Sequence, residues 1–170
     1  MPEYPTFLCM ADMASAAAKY WGEALTAHVE EGGGDDQTRR ANEFAFDRLR
    51  IWPRVLADVR QGHTALTLLG EAFAHPILLG PLAYQMALHP AGELATAEAA
   101  TAMDAGMVLS TLSSCSLEAV AAQLPSRKWF QLYFQASPDD TLRLLRRAEA
   151  AGYSALVVTV DVPIHGARLR

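Results

Sequence analysis

Apolar residues recur along this chain in two rhythms, and the change falls near residue 64. From Asp12 to Glu31 they sit at helical spacing, at Ala16, Tyr20, Ala24 and Ala27. That predicts one or two helices ending at Gly32, Gly33 and Gly34. A second helix is expected from Gln37 to Leu49, with Phe44 and Leu49 on one side, before Pro53 breaks the pattern. Residues 1–10 read as an irregular arm. Past residue 64 the rhythm shortens. Thr64 to Pro76 predicts a hairpin turning at Gly70-Glu71. Four short apolar runs follow, Ile77–Leu79, Met107–Leu109, Trp129–Phe134 and Leu156–Val160. Helical text separates them: Glu93 to Ala105, stopping at Gly106, then Leu117 to Gln123, then a helix capped by Ser137 with Pro138, Asp139 and Asp140 in its first turn.

Strand and helix alternating with short links imply parallel pairing and right-handed crossovers. A doubly wound sheet would show a glycine-rich turn after its first strand. Here that turn reads GPLAYQ. A (β/α) barrel instead collects polar residues on one strand-end rim. The four runs end at Pro81-Leu82-Ala83, Ser110, Gln131 with Tyr133, and Thr159 with Asp161. The expected fold is therefore α/β: the N-terminal half of a (β/α)8 TIM barrel with an N-terminal helical extension. Residues 1–63 are expected to form the arm and helical segment, and residues 64–170 the first four β/α units.

Composition narrows the chemistry. Hydrophobic residues make up 51% and charged residues 19%, which suits a packed core. A net charge of -5 argues against a broad nucleic-acid face. The apolar runs are too short to span a bilayer, and the N-terminus lacks a basic region before an apolar stretch. Cys9 and Cys115 have no CxxC partner and read as free thiols of a reducing compartment. A soluble, cytoplasmic protein is expected. The five histidines show no HxxxH or HExxH spacing, and there is no GxSxG elbow, so neither a metal site nor a serine hydrolase is expected. The rim offers hydroxyls, an amide, a phenol and one carboxylate. Each has a bland alternative: Ser110 as a helix cap, Gln131 as a satisfied buried amide, Asp161 as turn chemistry. Together they suit a polar planar ligand.

Several motifs then carry a resemblance. They are WPRVLADV at 52–59, PLAYQMALHPAGELATAEAA at 81–100, STLSSCSLE at 110–118, WFQLYF at 129–134, RRAEAAGYSALVVTVDVP at 146–163 and GARLR at the end. In this order and spacing the chain resembles the N-terminal half of the FMN-dependent 2-hydroxy-acid oxidases and dehydrogenases. That family includes glycolate, lactate and hydroxymandelate oxidases and mandelate dehydrogenase. The PLAYQ, HPAGEL, TLSS and TVDVP motifs lie nearest the hydroxymandelate oxidases.

The resemblance implies FMN as cofactor and an S-2-hydroxy acid as substrate. The backbone of Pro81, Leu82 and Ala83 would line the reactive flavin edge, and Ser110, Gln131 and Thr159 would bond its pyrimidine side. Tyr133 and Arg168 would hold the substrate, Arg168 as a bidentate clamp on its carboxylate. Asp161 would support a catalytic histidine. Val29 stands where the family usually has a substrate-binding tyrosine. Ala83 in place of glycine points to oxygen use, and Leu112 in place of a bulkier residue points to a mandelate-like or larger acid. The family's lysine, histidine base, second arginine and phosphate loops belong to its second half; His89 and His165 lie in no such motif. The sequence thus leads us to expect a fragment ending after Arg170, completed by a C-terminal half as a second polypeptide, within a homo-oligomer. A non-catalytic flavin-binding half barrel and an inert fragment are the alternatives.

Overall fold

The computed structural model describes residues 7–161 together with Gly166 and Ala167. It divides into two compact units, Met1–Val55 with Ile164–Arg170, and Leu56–Pro163.

In the first unit, α1 spans Met10–Glu30 and α2 spans Gln37–Asp47. The Asp12 carboxylate accepts the N–H groups of Leu8 and Cys9, satisfying backbone at the entry to α1. Helix α1 is two segments joined at Gly22, whose backbone leaves the helical region at φ 72 and ψ 169. Between the helices the chain folds back on itself. Asp36 Oδ1 accepts the Gly32 N–H at 2.7 Å, and a Cβ on Gly32 would lie 3.0 Å from that oxygen. Helix α2 ends two residues before the expected Leu49.

The second unit opens with the hairpin β1 (Leu66–Leu68) and β2 (Glu71–Phe73). Its turn is Leu69-Gly70 and not Gly70-Glu71. Both turn residues have positive φ, 51 and 83, as a two-residue hairpin link requires, and Glu71 is already paired with Leu68. The alternating part follows: β3 (Leu78–Leu79), a single 3-10 turn (Gln85–Ala87), α3 (Gly92–Ala102), β4 (Gly106–Leu109), α4 (Leu117–Gln123), β5 (Lys128–Leu132), α5 (Pro138–Ala150) and β6 (Ala155–Val158). The strands form one parallel sheet in the order β3-β4-β5-β6. Strand order that follows chain order, with a helix in each crossover, is barrel topology; a doubly wound sheet reverses order partway.

Register sorts the side chains. Met107, Leu109, Phe130 and Leu132 pack with Ala97, Ala100, Leu117, Val120, Leu124 and Ala148 of the helices. The alternate residues, Val108 on β4 with Ser110 just past its end, and Trp129 and Gln131 on β5, share the opposite face with Ala155 and Val157 of β6. That second face is the barrel's inside.

Three element ends differ from expectation. Helix α3 stops at Ala102 through Asp104 at φ 54, and Gly106 opens β4 rather than capping the helix. Glycine is required there by packing: a Cβ would meet the Phe73 ring at 2.8 Å and Leu78 Cγ at 3.1 Å. Strand β5 ends at Leu132, which leaves Phe134 past the ladder and 69% exposed. Strand β6 ends at Val158, so Thr159 and Val160 lie just beyond it.

The hairpin occupies the N-terminal end of the sheet. Phe73 is buried and meets Trp129 edge-on at 6.0 Å, with the Arg127 guanidinium over its ring. The Glu71 carboxylate accepts the Arg127 N–H at 2.8 Å and the Ser154 hydroxyl at 3.0 Å, just before β5 and β6 begin. The opposite, C-terminal end remains for chemistry. Among the described residues, no helix is long and apolar enough to cross a membrane.

Candidate functional site

Ser110 follows β4 directly, Gln131 is the next-to-last residue of β5, and Thr159 follows β6 directly. All three sit on the inward face, so the sheet sets them side by side. Gln131 is 2% exposed and joins the row. Its Oε1 accepts the Ser110 hydroxyl at 3.3 Å and the Thr111 N–H at 3.1 Å, and its Nε2 donates to Thr159 Oγ1 at 2.8 Å. The Ser110 hydroxyl also accepts the Leu112 N–H at 3.0 Å. A carboxamide has two N–H donors and a hydroxyl has one proton. With these bonds made, the row still has one amide N–H of Gln131 and the hydroxyl proton of Thr159 to offer. Those are donors without charge, which fit the carbonyl edge of a flavin pyrimidine ring.

Tyr133 is half-buried two residues beyond Gln131. Its N–H donates to Thr111 Oγ1 at 3.0 Å, and its carbonyl accepts Gln135 Nε2 at 2.8 Å. Asp161 is exposed past the end of β6. Arg168 and His165 lie outside the described residues. His89 is exposed, and its Nδ1 accepts the Ala91 N–H at 3.2 Å, a local turn contact. Val29 is exposed on α1 of the first unit.

The Pro81-Leu82-Ala83 stretch follows β3, with Pro81 and Leu82 exposed and Ala83 half-buried. It is anchored from behind. The Leu82 carbonyl accepts Gln85 Nε2 at 3.4 Å, the Tyr84 N–H donates to the Leu112 carbonyl at 3.0 Å, and the Met86 N–H donates to Ser114 Oγ at 3.2 Å. Gln85 is itself buried, and Thr96 Oγ1 donates to its Oε1 at 2.6 Å.

Glu93 binds the two rim loops together. Its side chain is fully buried. Oε1 accepts the N–H groups of Gln85 (3.2 Å) and Ser114 (2.9 Å), and Oε2 accepts that of Cys115 (3.2 Å). Burial alone would raise this carboxyl. The amides of Ser114, of Glu93 itself and of Gln85, with a hydrogen bond from Cys115, together outweigh it and hold the group below its ordinary range. Burial first, then the hydrogen bond to Glu93 and its charge, push the Cys115 thiol up. Glu93, Gln85 and Thr111 were missed by sequence reasoning. An acid in the first turn of a helix reads as a dipole partner, and the sequence carries no further sign that it is buried.

Among the described residues, no three His, Cys, Asp or Glu side chains come together as a metal cage. What the geometry brings together is an uncharged, hydrogen-bonded rim at the C-terminal ends of parallel strands, with a plug at the other end. That defines part of a (β/α)8 barrel whose ligand site is on the strand-end face.

The comparisons with known proteins agree with the geometry. The chain belongs to the family of FMN-dependent 2-hydroxy-acid oxidases: the FMN-dependent dehydrogenase family model matches residues 17–170. It is 51% identical over 138 residues to an L-lactate oxidase of Alicycliphilus denitrificans, covering 81% of this chain and 38% of that protein. It is 40% identical over 165 residues to a 4-hydroxymandelate oxidase of Amycolatopsis orientalis, covering 97% and 46%. A crystal structure of mandelate oxidase superimposes with a TM-score of 0.92 at 40% identity, covering 96% of this chain and 48% of that one. The chain thus spans less than half the length of these relatives. The expected family and the expected partial TIM barrel are both borne out.

Proposed function

We propose that this chain supplies the flavin-edge half of an FMN-dependent oxidase that converts an S-2-hydroxy acid to its 2-keto acid. The Ser110–Gln131–Thr159 row carries this reading. Bound FMN would accept the two electrons that leave the substrate's α-carbon. Gln131 and Thr159 would donate to the ring carbonyls, and Ser110 would hold the Gln131 amide. The backbone of Pro81, Leu82 and Ala83 would border the reactive edge. Tyr133, at the rim, would bond the substrate's hydroxyl or carboxylate, and Arg168 would clamp that carboxylate. Asp161 would orient and stabilise a histidine that comes from the rest of the barrel. Activity therefore requires the remaining β/α units. The exposed apolar edge of β6 and the length of the relatives both support that requirement.

Leu112, 38% exposed on the rim, leaves room for a mandelate-like or other aromatic acid. The name of the L-lactate oxidase relative favours a small acid as the second reading. Ala83 beside the reactive edge favours oxygen as the electron acceptor. The test is to supply FMN to this chain together with the completing half barrel and follow flavin absorption, then bleaching by S-mandelate and by L-lactate. Flavin uptake with bleaching by mandelate supports the whole proposal, and bleaching by lactate alone shifts it to the second reading. Flavin uptake without bleaching leaves a non-catalytic flavin-binding module. No uptake would mean an inert fragment.

A further inference from the structure

Thr111 follows Ser110 at the end of β4 and is assigned no ligand contact above. Yet it makes three hydrogen bonds to β5 and the residue just past its end. Its N–H donates to Gln131 Oε1 at 3.1 Å, its hydroxyl donates to the Gln131 carbonyl at 2.6 Å, and the same hydroxyl accepts the Tyr133 N–H at 3.0 Å. The β4–β5 pairing ends at Leu109 and Phe130. Past that pair the Thr111 side chain takes the place of a further rung, bonding one carbonyl and one N–H that the ladder would otherwise pair. Two consequences follow. With Oε1 accepting from Ser110 and Thr111, the Gln131 amide can turn only its Nε2 toward Thr159, so its orientation is set. The backbone from which Tyr133 projects is fixed by the same hydroxyl.

We infer that Thr111 is the positioning residue of this rim: its N–H orients the cofactor-side amide of Gln131, and its hydroxyl fixes the backbone from which both Gln131 and the substrate-side phenol of Tyr133 project. The inference rests on the proposed oxidase reading for its functional half. Its structural half stands on the hydrogen bonds alone. Thr111→Val keeps the β-branched shape and the N–H bonded to Gln131 Oε1, and removes both bonds of the hydroxyl, so it releases the backbone at Gln131 and Tyr133. Thr111→Ser keeps both hydroxyl bonds.

The experiment has two readouts. In the 170-residue chain, amide exchange at Tyr133 should accelerate by roughly tenfold or more in Thr111→Val, from loss of a hydrogen-bond partner, and return in Thr111→Ser. In the chain completed with the rest of its barrel and loaded with FMN, Thr111→Val should shift the flavin absorption band. It should also lower kcat/KM by roughly ten- to hundredfold, since small misplacements are that costly, with rescue by serine. Thr111→Ala, which also lacks the hydroxyl and crowds nothing, serves if valine does not fold. Unchanged Tyr133 exchange would overturn the inference. So would faster exchange with the flavin band and kinetics unaltered. If wild-type protein takes up no flavin, the oxidase reading fails, and the exchange result still decides the role of Thr111.

Discussion

Gln131 has four side-chain hydrogen-bonding positions and uses three of them on its own neighbours. Replacing it by methionine keeps the length but leaves the part-buried Thr111 N–H without its acceptor, at a cost of about 1–3 kcal/mol. Gln131→Met should therefore lower stability by that amount and weaken FMN binding by about tenfold or more. Flavin titration beside thermal melting checks both, and unaltered affinity would remove Gln131 from the cofactor site. Asp161→Ala tests the other end of the rim. In the completed enzyme it should slow flavin reduction by roughly tenfold or more while FMN stays bound, because the histidine proposed as the base would lose its counter-charge. Stopped-flow reduction measures this, and an unchanged rate would exclude Asp161 from proton transfer. At this scale the sequence was readable where a polar residue ends an apolar run, as at Ser110, Gln131 and Thr159. It was unreadable at Thr111. A threonine beside a serine in a loop has no feature that announces a bond to a neighbouring strand 20 residues away.

Two contacts between elements, one at each end of the sheet, are revealed by no periodicity. Glu93 belongs to α3 but accepts amides from the loops after β3 and β4. Its folded-state pKa lies below the ordinary value of 4.5, so it adds stability above about that pH and loses it as pH falls through the folded value. Glu93→Gln should lower the melting temperature at pH 7, and the gap from wild type should narrow as the pH falls below the ordinary value of 4.5. A gap independent of pH would show that packing, and not charge, fixes the loops. Gly106 is the second contact. The sequence reads it as a helix stop, because glycine after an alanine-rich helix usually is one. The structure uses its missing side chain to admit Phe73 of the hairpin. Gly106→Ala should overpack that junction and cost about 1–3 kcal/mol in denaturant melts. A neutral outcome would mean that the hairpin shifts freely on the sheet. Alternation of strand and helix was legible because each run is amphipathic or apolar by itself. The hairpin's role was not, since it depends on what stands beside Phe73 in space.

For the molecule as a whole, the decisive feature is the side of β6, last in the sheet order, that pairs with no strand among the described residues. Leu156 and Val158 lie on the side that faces helices elsewhere in the sheet, yet they are 44% and 40% exposed, and Val160 beyond them is 83% exposed. Phe134 and Leu142 are exposed as well, lining an apolar groove with Pro138 and Leu145. Unpaired backbone beside apolar side chains is a template for association. The chain by itself should therefore self-associate with rising concentration in sedimentation velocity. Val158→Lys should suppress this, with stability changed by no more than about 0.5 kcal/mol for an exposed site. The same substitution should act in the opposite sense once the completing half barrel is present, because the charge would then be buried against the next β/α unit. There it should weaken assembly and flavin uptake. Lysine that reduces self-association and also leaves assembly intact would show that β6 is not the seam at which the barrel is completed.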